Sequence, residues 1–240
     1  MLVNYLESQG NAYYRYRNTF PVLYLIVGVF VWQWSQPFIV QNRHAKAEII
    51  YEAGCLALSL FGLAIRFLTR AFDQAEYKKG KNKQPFAEFL NTKGMYSIVR
   101  HPIYFADFFI YLGLVLYVQN LKFITCYFLL FTVFFERIIA AEESYLKQKF
   151  GKPFLDWAAK TPIFFPDISL LQTKGTTFSW TRALKKETPT LLKVMLLFYL
   201  LEWMNHFTTG HQVETLWHVI AIGTLLIAAT AAIILSRKKK

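Results

Sequence analysis

The stretch Gly94-Met95-Tyr96-Ser97-Ile98-Val99-Arg100-His101-Pro102-Ile103-Tyr104 runs without a break into FADFFIYLGLVLYV, residues 105–118. A polar, turn-rich segment with Arg, His and Pro thus opens an apolar run long enough to be a membrane helix. A second junction follows. The apolar run from Leu121 closes on Glu136-Arg137-Ile138-Ile139-Ala140-Ala141-Glu142-Glu143 and passes into SYLKQKFG. Charged groups abutting membrane-length apolar runs are costly unless something uses them. Two such clusters on either side of one helical hairpin read as two walls of a site at the membrane surface.

Working outward, the 240 residues are 55% hydrophobic and 18% aromatic, too apolar for an ordinary soluble domain. Six windows have the length and composition of membrane spans: Val22–Val40, Ile49–Leu68, Pro102–Val118, Leu121–Ile139, Leu191–Phe207 and Leu216–Leu235. Glu52, Asp107, and Lys193 with Glu202 interrupt the second, third and fifth windows. The fold class expected is all-α, a polytopic helical membrane protein of about six transmembrane helices with its active site on the cytoplasmic face. It forms a single integral membrane domain, residues 1–240, with a core over about 49–166 and a further C-terminal helix pair over 189–236.

The net charge of +12 is distributed by topology. Under the six-span reading, twenty-four of the twenty-seven Lys and Arg residues fall on one side, leaving only Arg43, Lys46 and Lys122 on the other. That asymmetry places both termini and the site in the cytoplasm. The positive charge then serves orientation and contact with anionic lipid, and nucleic-acid binding is set aside. Cys55 and Cys126 lack metal-ligand spacing and read as two small buried residues; no metal site is expected. Ala45-Lys46-Ala47 mimics a signal-peptide cleavage site, but the apolar run before it is too long and holds Trp32, Gln33, Trp34 and Gln36, so the first span is read as retained.

Between the spans, the basic run Lys78–Lys83 reads as a solvated loop and Phe86–Leu90 as an interfacial segment. Gln119-Asn120 is short enough to make the third and fourth spans an antiparallel hairpin. Asp107, at depth, should face other helices. Leu146, Phe150 and Phe154 recur every four residues among Lys147, Lys149 and Lys152, so Ala140–Leu155 reads as a helix leaving the membrane along its surface, broken near Pro153. Asp167 to Lys186 reads as a polar linker.

Chemically, Arg100-His101-Pro102 marks a helix start. Proline suits the first helical turn, and the free N–H groups behind it form an anion-attracting end. The same residues suit a plain interfacial anchor, with Tyr96 and Tyr104 in the aromatic belt. Glu142 and Glu143 project about 100° apart on a helix, so they should not both serve one contact. They read equally as a ligand-binding pair or as a solvated helix end.

Taken together and in order, RHPIYFA, the hairpin to Ile139, Glu142-Glu143, FGKPFLDW and TPIFFP resemble the isoprenylcysteine carboxyl methyltransferase and phospholipid methyltransferase superfamily of integral membrane enzymes. The resemblance covers Glu88 to Pro166. It implies S-adenosyl-L-methionine as methyl donor, with Tyr96, His101, Pro102, Ile103 and Tyr104 lining its pocket and Glu142 opposite. No GxGxxG stands after a candidate strand, so a Rossmann-type methyltransferase is excluded on pattern. The family pattern departs at three places. Ala106 replaces a usual Gly, and Phe154 and Trp157 replace tyrosines. Ile138 occupies the substrate-side Arg position, leaving Arg137 one residue away as the expected catalytic cation.

The function implied is methyl transfer at the membrane interface to a lipid or lipidated acceptor entering from the bilayer, by O-methylation of a carboxylate or phosphate. Arg137, with Arg100, would orient that anion. An amine acceptor, as in phospholipid N-methylation, would need Glu143 or Asp107 to take a proton. A sterol-reductase-like membrane enzyme using NADPH and a non-catalytic membrane protein are the readings from other classes.

Overall fold

The computed structural model describes residues 2–17, 19–34, 45–72, 90–209 and 215–237. The Lys78–Lys83 loop, residues 86–89, Arg43 and the last three lysines lie outside the described residues. Among the described residues the fold is all-helical, with no strand beyond an isolated bridge between Gly94 and Gln172. The helices are α1 (Leu2–Tyr16), α2 (Phe20–Trp34), α3 (Ala45–Phe72), α4 (Met95–Ile98), α5 (Pro102–Tyr117), α6 (Leu121–Phe150), α7 (Lys152–Ala158), α8 (Trp180–Thr209) and α9 (Thr215–Arg237).

Each of the six apolar windows is occupied by a helix. Two stretches, Glu48–Phe72 and Leu121–Phe150, are long and apolar enough by themselves to cross a membrane. The apolar helices Pro102–Tyr117 and Trp217–Ala231 are shorter. Many large apolar side chains face outward, among them Phe30, Ile50, Leu129, Leu225 and Leu226. Exposed apolar surface on this scale marks contact with something other than water.

α3 and α5 form the central antiparallel pair. They approach closely because the contact surface is made of small residues: a Cβ on Gly62 would lie 2.5 Å from the Ala106 carbonyl, and one on Gly113 would strike Ser59 and the Cys55 carbonyl. Ser59 uses this proximity to donate from Oγ to the Ile110 carbonyl at 2.7 Å, and Tyr51 donates to the Leu116 carbonyl at 2.6 Å. The Ala106 that departs from the family pattern therefore sits at this seam, fully buried under Gly62.

The hairpin expected at Gln119-Asn120 is present. Gln119 takes a left-handed φ of 56°, and the Asn120 side chain caps α6 by accepting from the Phe123 N–H at 2.9 Å. α5 nevertheless packs along its length on α3, and meets α6 through rings: Phe108 against Tyr127 and Phe131, and Tyr104 against Phe135. The antiparallel pair α8 and α9 closes the other side of α3, with Phe198 stacked on Trp217.

The structure corrects three expectations. The interfacial helix is not separate: α6 continues unbroken through Ala140 to Phe150 and stops at Gly151, whose φ of 58° favours glycine. α7 then restarts with Pro153 in its first turn, where proline is tolerated. The expected linker ends early, since α8 begins at Trp180 and carries Pro189 within it. Of the two cysteines, Cys55 is buried as expected but Cys126 is exposed.

The polar residues inside the apolar windows find each other. Asp107 accepts from Arg66 of α3 and faces the bundle as expected, while Arg66 also engages Glu187 of α8 at 2.7 Å. At the opposite end of the bundle, Tyr117 touches Glu52 and Glu202, and the Trp217 indole donates to Glu52 at 3.1 Å. Lys193 reaches the Tyr111 hydroxyl at 3.4 Å. Such groups in an apolar bundle are tolerated because they pair across helices.

Candidate functional site

At 1.5 Å per residue, the thirty residues of α6 extend about 45 Å, against about 30 Å for the hydrocarbon core of a bilayer. Counted from Leu121, a span of about twenty residues ends at Ala141, just before the Glu pair. α5 runs antiparallel, so Pro102 at its start returns toward the same level, and the hairpin brings the RHP segment to the Glu pair.

There they bond directly. The Tyr104 hydroxyl donates to Glu142 Oε2 at 2.8 Å. Arg100 Nη1 donates to Glu143 Oε1 at 2.8 Å, and His101 Nε2 stands 3.1 Å from the same oxygen. His101 Nδ1 lies 3.7 Å from Glu142 Oε2, and the imidazole stacks on Tyr104 with centroids 5.7 Å apart. His101 is buried, and both carboxylates are mostly covered. The expectation that the two carboxylates could not serve one contact is corrected. Their directions do diverge, but a ring with nitrogens on opposite sides fits between them and meets both.

His101 is the N-cap of α5 without a side-chain cap bond, and Pro102 stands at the first helical position. The imidazole is thus left for the Glu pair. The Phe105 N–H is the first to close a helical bond, to the His101 carbonyl at 3.1 Å. The Ile103 and Tyr104 N–H groups ahead of it belong to the turn that has no intrahelical acceptor.

The segment before the helix is held by a strap. The Arg100 N–H donates to the Pro162 carbonyl at 2.8 Å, Asp167 N–H to the Ile98 carbonyl at 2.9 Å, and Gly94 N–H to the Gln172 carbonyl at 2.9 Å. TPIFFP is therefore the clamp on the RHP segment. Trp157, which replaces a family tyrosine, donates its indole N–H to the Tyr96 carbonyl at 3.1 Å and so ties α7 to α4. Phe154 is buried beneath it. Tyr96 itself is half-buried, as is Ile103.

Arg137 is half-buried and makes no ion pair among the described residues; Ile138 beside it is wholly in the core. Arg100, the other cation considered for the acceptor, is taken up by Glu143. Asp107 is taken up by Arg66. The structure adds residues that the sequence reading passed over. Arg66 and Arg70 of α3 share Glu187 of α8; Tyr14 of α1 lies within electrostatic reach of Glu142, and Tyr104 within that of Tyr14 and of Arg17, which follows α1. Burial pushes the Tyr14 hydroxyl above its usual range, so it remains neutral.

The chemistry of this set suits S-adenosyl-L-methionine. Glu142 can accept from ribose hydroxyls or from an amino group. Arg100 Nε, buried and without a partner, supplies a donor for a carboxylate. Among the described residues no group of three or more His, Cys, Asp or Glu side chains is placed to hold a metal.

The cobalt-zinc-cadmium resistance protein CzcN of Cupriavidus metallidurans is 27% identical over 182 residues, covering 75% of this chain and 73% of that protein. The nickel-cobalt-cadmium resistance protein NccN of Alcaligenes xylosoxydans xylosoxydans is 33% identical over 87 residues, 36% of this chain and 40% of that protein. No solved structure matches. Residues 53–153, which carry the RHP segment, the hairpin and the Glu pair, match the phospholipid methyltransferase family, and the resemblance to the isoprenylcysteine carboxyl methyltransferase and phospholipid methyltransferase superfamily holds.

Proposed function

We propose that this protein is an integral membrane methyltransferase that uses S-adenosyl-L-methionine to O-methylate a carboxylate or phosphate on a lipid-like acceptor. The observation that carries this reading is the direct bonding of Tyr104 to Glu142 and of Arg100 and His101 to Glu143, within a segment that matches a methyltransferase family. The cofactor-binding residues are Tyr96, His101, Pro102, Ile103, Tyr104 and Glu142. Arg137, a cation with no counter-anion among the described residues, is the candidate for orienting the acceptor.

The bound cofactor supplies an electrophilic methyl on a cationic sulfur. The anionic acceptor oxygen gains that methyl, the sulfur keeps the bonding pair, and the positive and negative charges cancel without any proton transfer. The residues of the chain therefore align the reactants and exclude water. Charge pairing favours the oxygen acceptor over an amine. An amine would need a carboxylate to take a proton, and Asp107 is held by Arg66 while Glu143 is held by Arg100 and His101.

Two apolar helices of membrane length, the outward apolar side chains and the one-sided placement of Lys and Arg support a six-span topology with both termini and the site cytoplasmic. The acceptor then enters sideways from the bilayer. Expressing the full chain in cells supplied with methyl-labelled methionine and extracting the lipids tests the function. A labelled lipid with the methyl on oxygen is expected, released as methanol by mild base from a carboxylate ester or retained through base on a phosphate ester. Label that resists base on an amine headgroup would replace O-methylation by N-methylation, and no lipid label would reject the reading.

A further inference from the structure

The first 21 residues lie outside the family match, yet α1 is seated on the site. Gly10 and Tyr14 stand four residues apart on one face of α1, and Arg17 follows in the turn that ends the helix. That face is turned onto α6. A Cβ at Gly10 would collide with the Arg137 carbonyl and with Ala141, the residue before Glu142. Tyr13 stacks on Phe134 at 5.1 Å and fixes the helix there. Tyr14 consequently lies within the electrostatic reach of Glu142 and Arg70, and Tyr104 within that of Glu142, Tyr14 and Arg17.

Charge pairing around the site then leaves a pattern. Arg66 and Arg70 are balanced by Asp107 and Glu187. Arg100 is balanced by Glu143. Arg17, like Arg137, is half-buried and pairs with no carboxylate among the described residues. Its guanidinium lies 3.6 Å above the Tyr14 ring centre, and Nη1 donates to the Tyr14 carbonyl at 2.8 Å. The contact with the ring and the single bond to a carbonyl hold the group in place while leaving most of its five N–H donors unspent.

We propose that α1 is the third wall of this site and that Arg17, shelved on Tyr14, binds the anionic head of an amphiphilic acceptor. The inference rests on the proposed O-methylation, and it assigns acceptor recognition to a helix beyond the matched family segment. A planar guanidinium matches the paired oxygens of a carboxylate or phosphate, so Arg17 can hold such a head from the α1 side while Arg137 of the facing α6 orients it. The alkyl part lies along the apolar outer faces of α2 and α6, which flank the end of α1.

The test is a titration of the purified full chain in phosphatidylcholine nanodiscs with dodecyl phosphate, with dodecanol and inorganic phosphate as controls. S-adenosylhomocysteine affinity is measured on the same samples. Wild type should bind dodecyl phosphate more tightly than either control. Arg17→Gln should weaken dodecyl phosphate binding about tenfold or more, Arg17→Lys should recover part of it, and S-adenosylhomocysteine affinity should change by less than about twofold. Four results would overturn the inference: no preference of wild type for dodecyl phosphate; unchanged affinity in Arg17→Gln; an equal loss for dodecanol; or a parallel loss of S-adenosylhomocysteine binding, which would make Arg17 a structural residue of α1. If wild type binds dodecyl phosphate through Arg17 but does not bind S-adenosylhomocysteine, the anion site stands and the methyltransferase reading falls.

Discussion

At the scale of residues, Glu142 and Glu143 are chemically identical neighbours with different surroundings. Glu142 accepts from the neutral Tyr104 hydroxyl and makes only a 3.7 Å approach to His101, so it retains acceptor capacity for a ligand. Glu143 is committed to Arg100 and His101 within the chain. Glu142→Gln should therefore remove a charge-assisted ligand contact, worth roughly 1.5–3 kcal/mol, and weaken S-adenosylhomocysteine binding with little change in thermal stability. Glu143→Gln should chiefly lower the thermal midpoint, because it leaves Arg100 without its partner. Calorimetry of both variants, with and without ligand, checks this split; equal effects of the two on ligand affinity would contradict it. Much of the site was legible residue by residue, since RHP followed by Tyr and then a distant Glu-Glu pair is an ordered pattern. The shared contact on His101 was not, because helical geometry gives the directions of two carboxylates but not what stands between them. Gly10, Tyr14 and Arg17 carry a signal in their i, i+4, i+7 spacing, set in a Tyr-rich polar segment ahead of the first apolar window.

At the scale of elements, the seam between α3 and α5 sets how α5, and with it Pro102, sits beside the Glu pair of α6. Gly62 faces the Ala106 carbonyl and Ile110 at a distance that admits no side chain, and Ala106 itself is wholly buried. Gly62→Leu forces the helices apart and should cost about 1–3 kcal/mol or more by overpacking. It should also weaken cofactor binding from a position well away from Glu142, as read by ligand titration of the refolded or detergent-stable variant. Wild-type stability and affinity in that variant would show that the seam does not set the site. Helix identities were readable from the apolar windows, but helix ends were not. α6 runs on to Phe150 because nothing before Gly151 breaks it, and α8 starts at Trp180 because its charged first turns dock through Glu187 onto Arg66 and Arg70. A window chosen for apolarity omits such turns.

At the scale of the whole molecule, two polar clusters tie the helices outside the matched segment to its core. Arg66, Asp107, Arg70 and Glu187 join α3, α5 and α8 near the site, and Glu52, Tyr117, Glu202 and Trp217 join α3, α5, α8 and α9 at the opposite end. Composition and spacing could list Glu52, Asp107, Lys193 and Glu202 as interruptions of apolar windows, but partners on helices far apart in sequence emerge only when the bundle is assembled. The C-terminal pair is thus tied into the same helical body as the matched segment through side-chain contacts at both ends. The central claim about that body is that it holds an S-adenosyl group where the RHP segment meets the Glu pair. Titrating the purified full chain in nanodiscs with S-adenosylhomocysteine and, separately, with NADPH tests it most directly. The account predicts saturable binding of S-adenosylhomocysteine that is weakened by Glu142→Gln, with no competition from NADPH; saturable binding of NADPH with none of S-adenosylhomocysteine would contradict it.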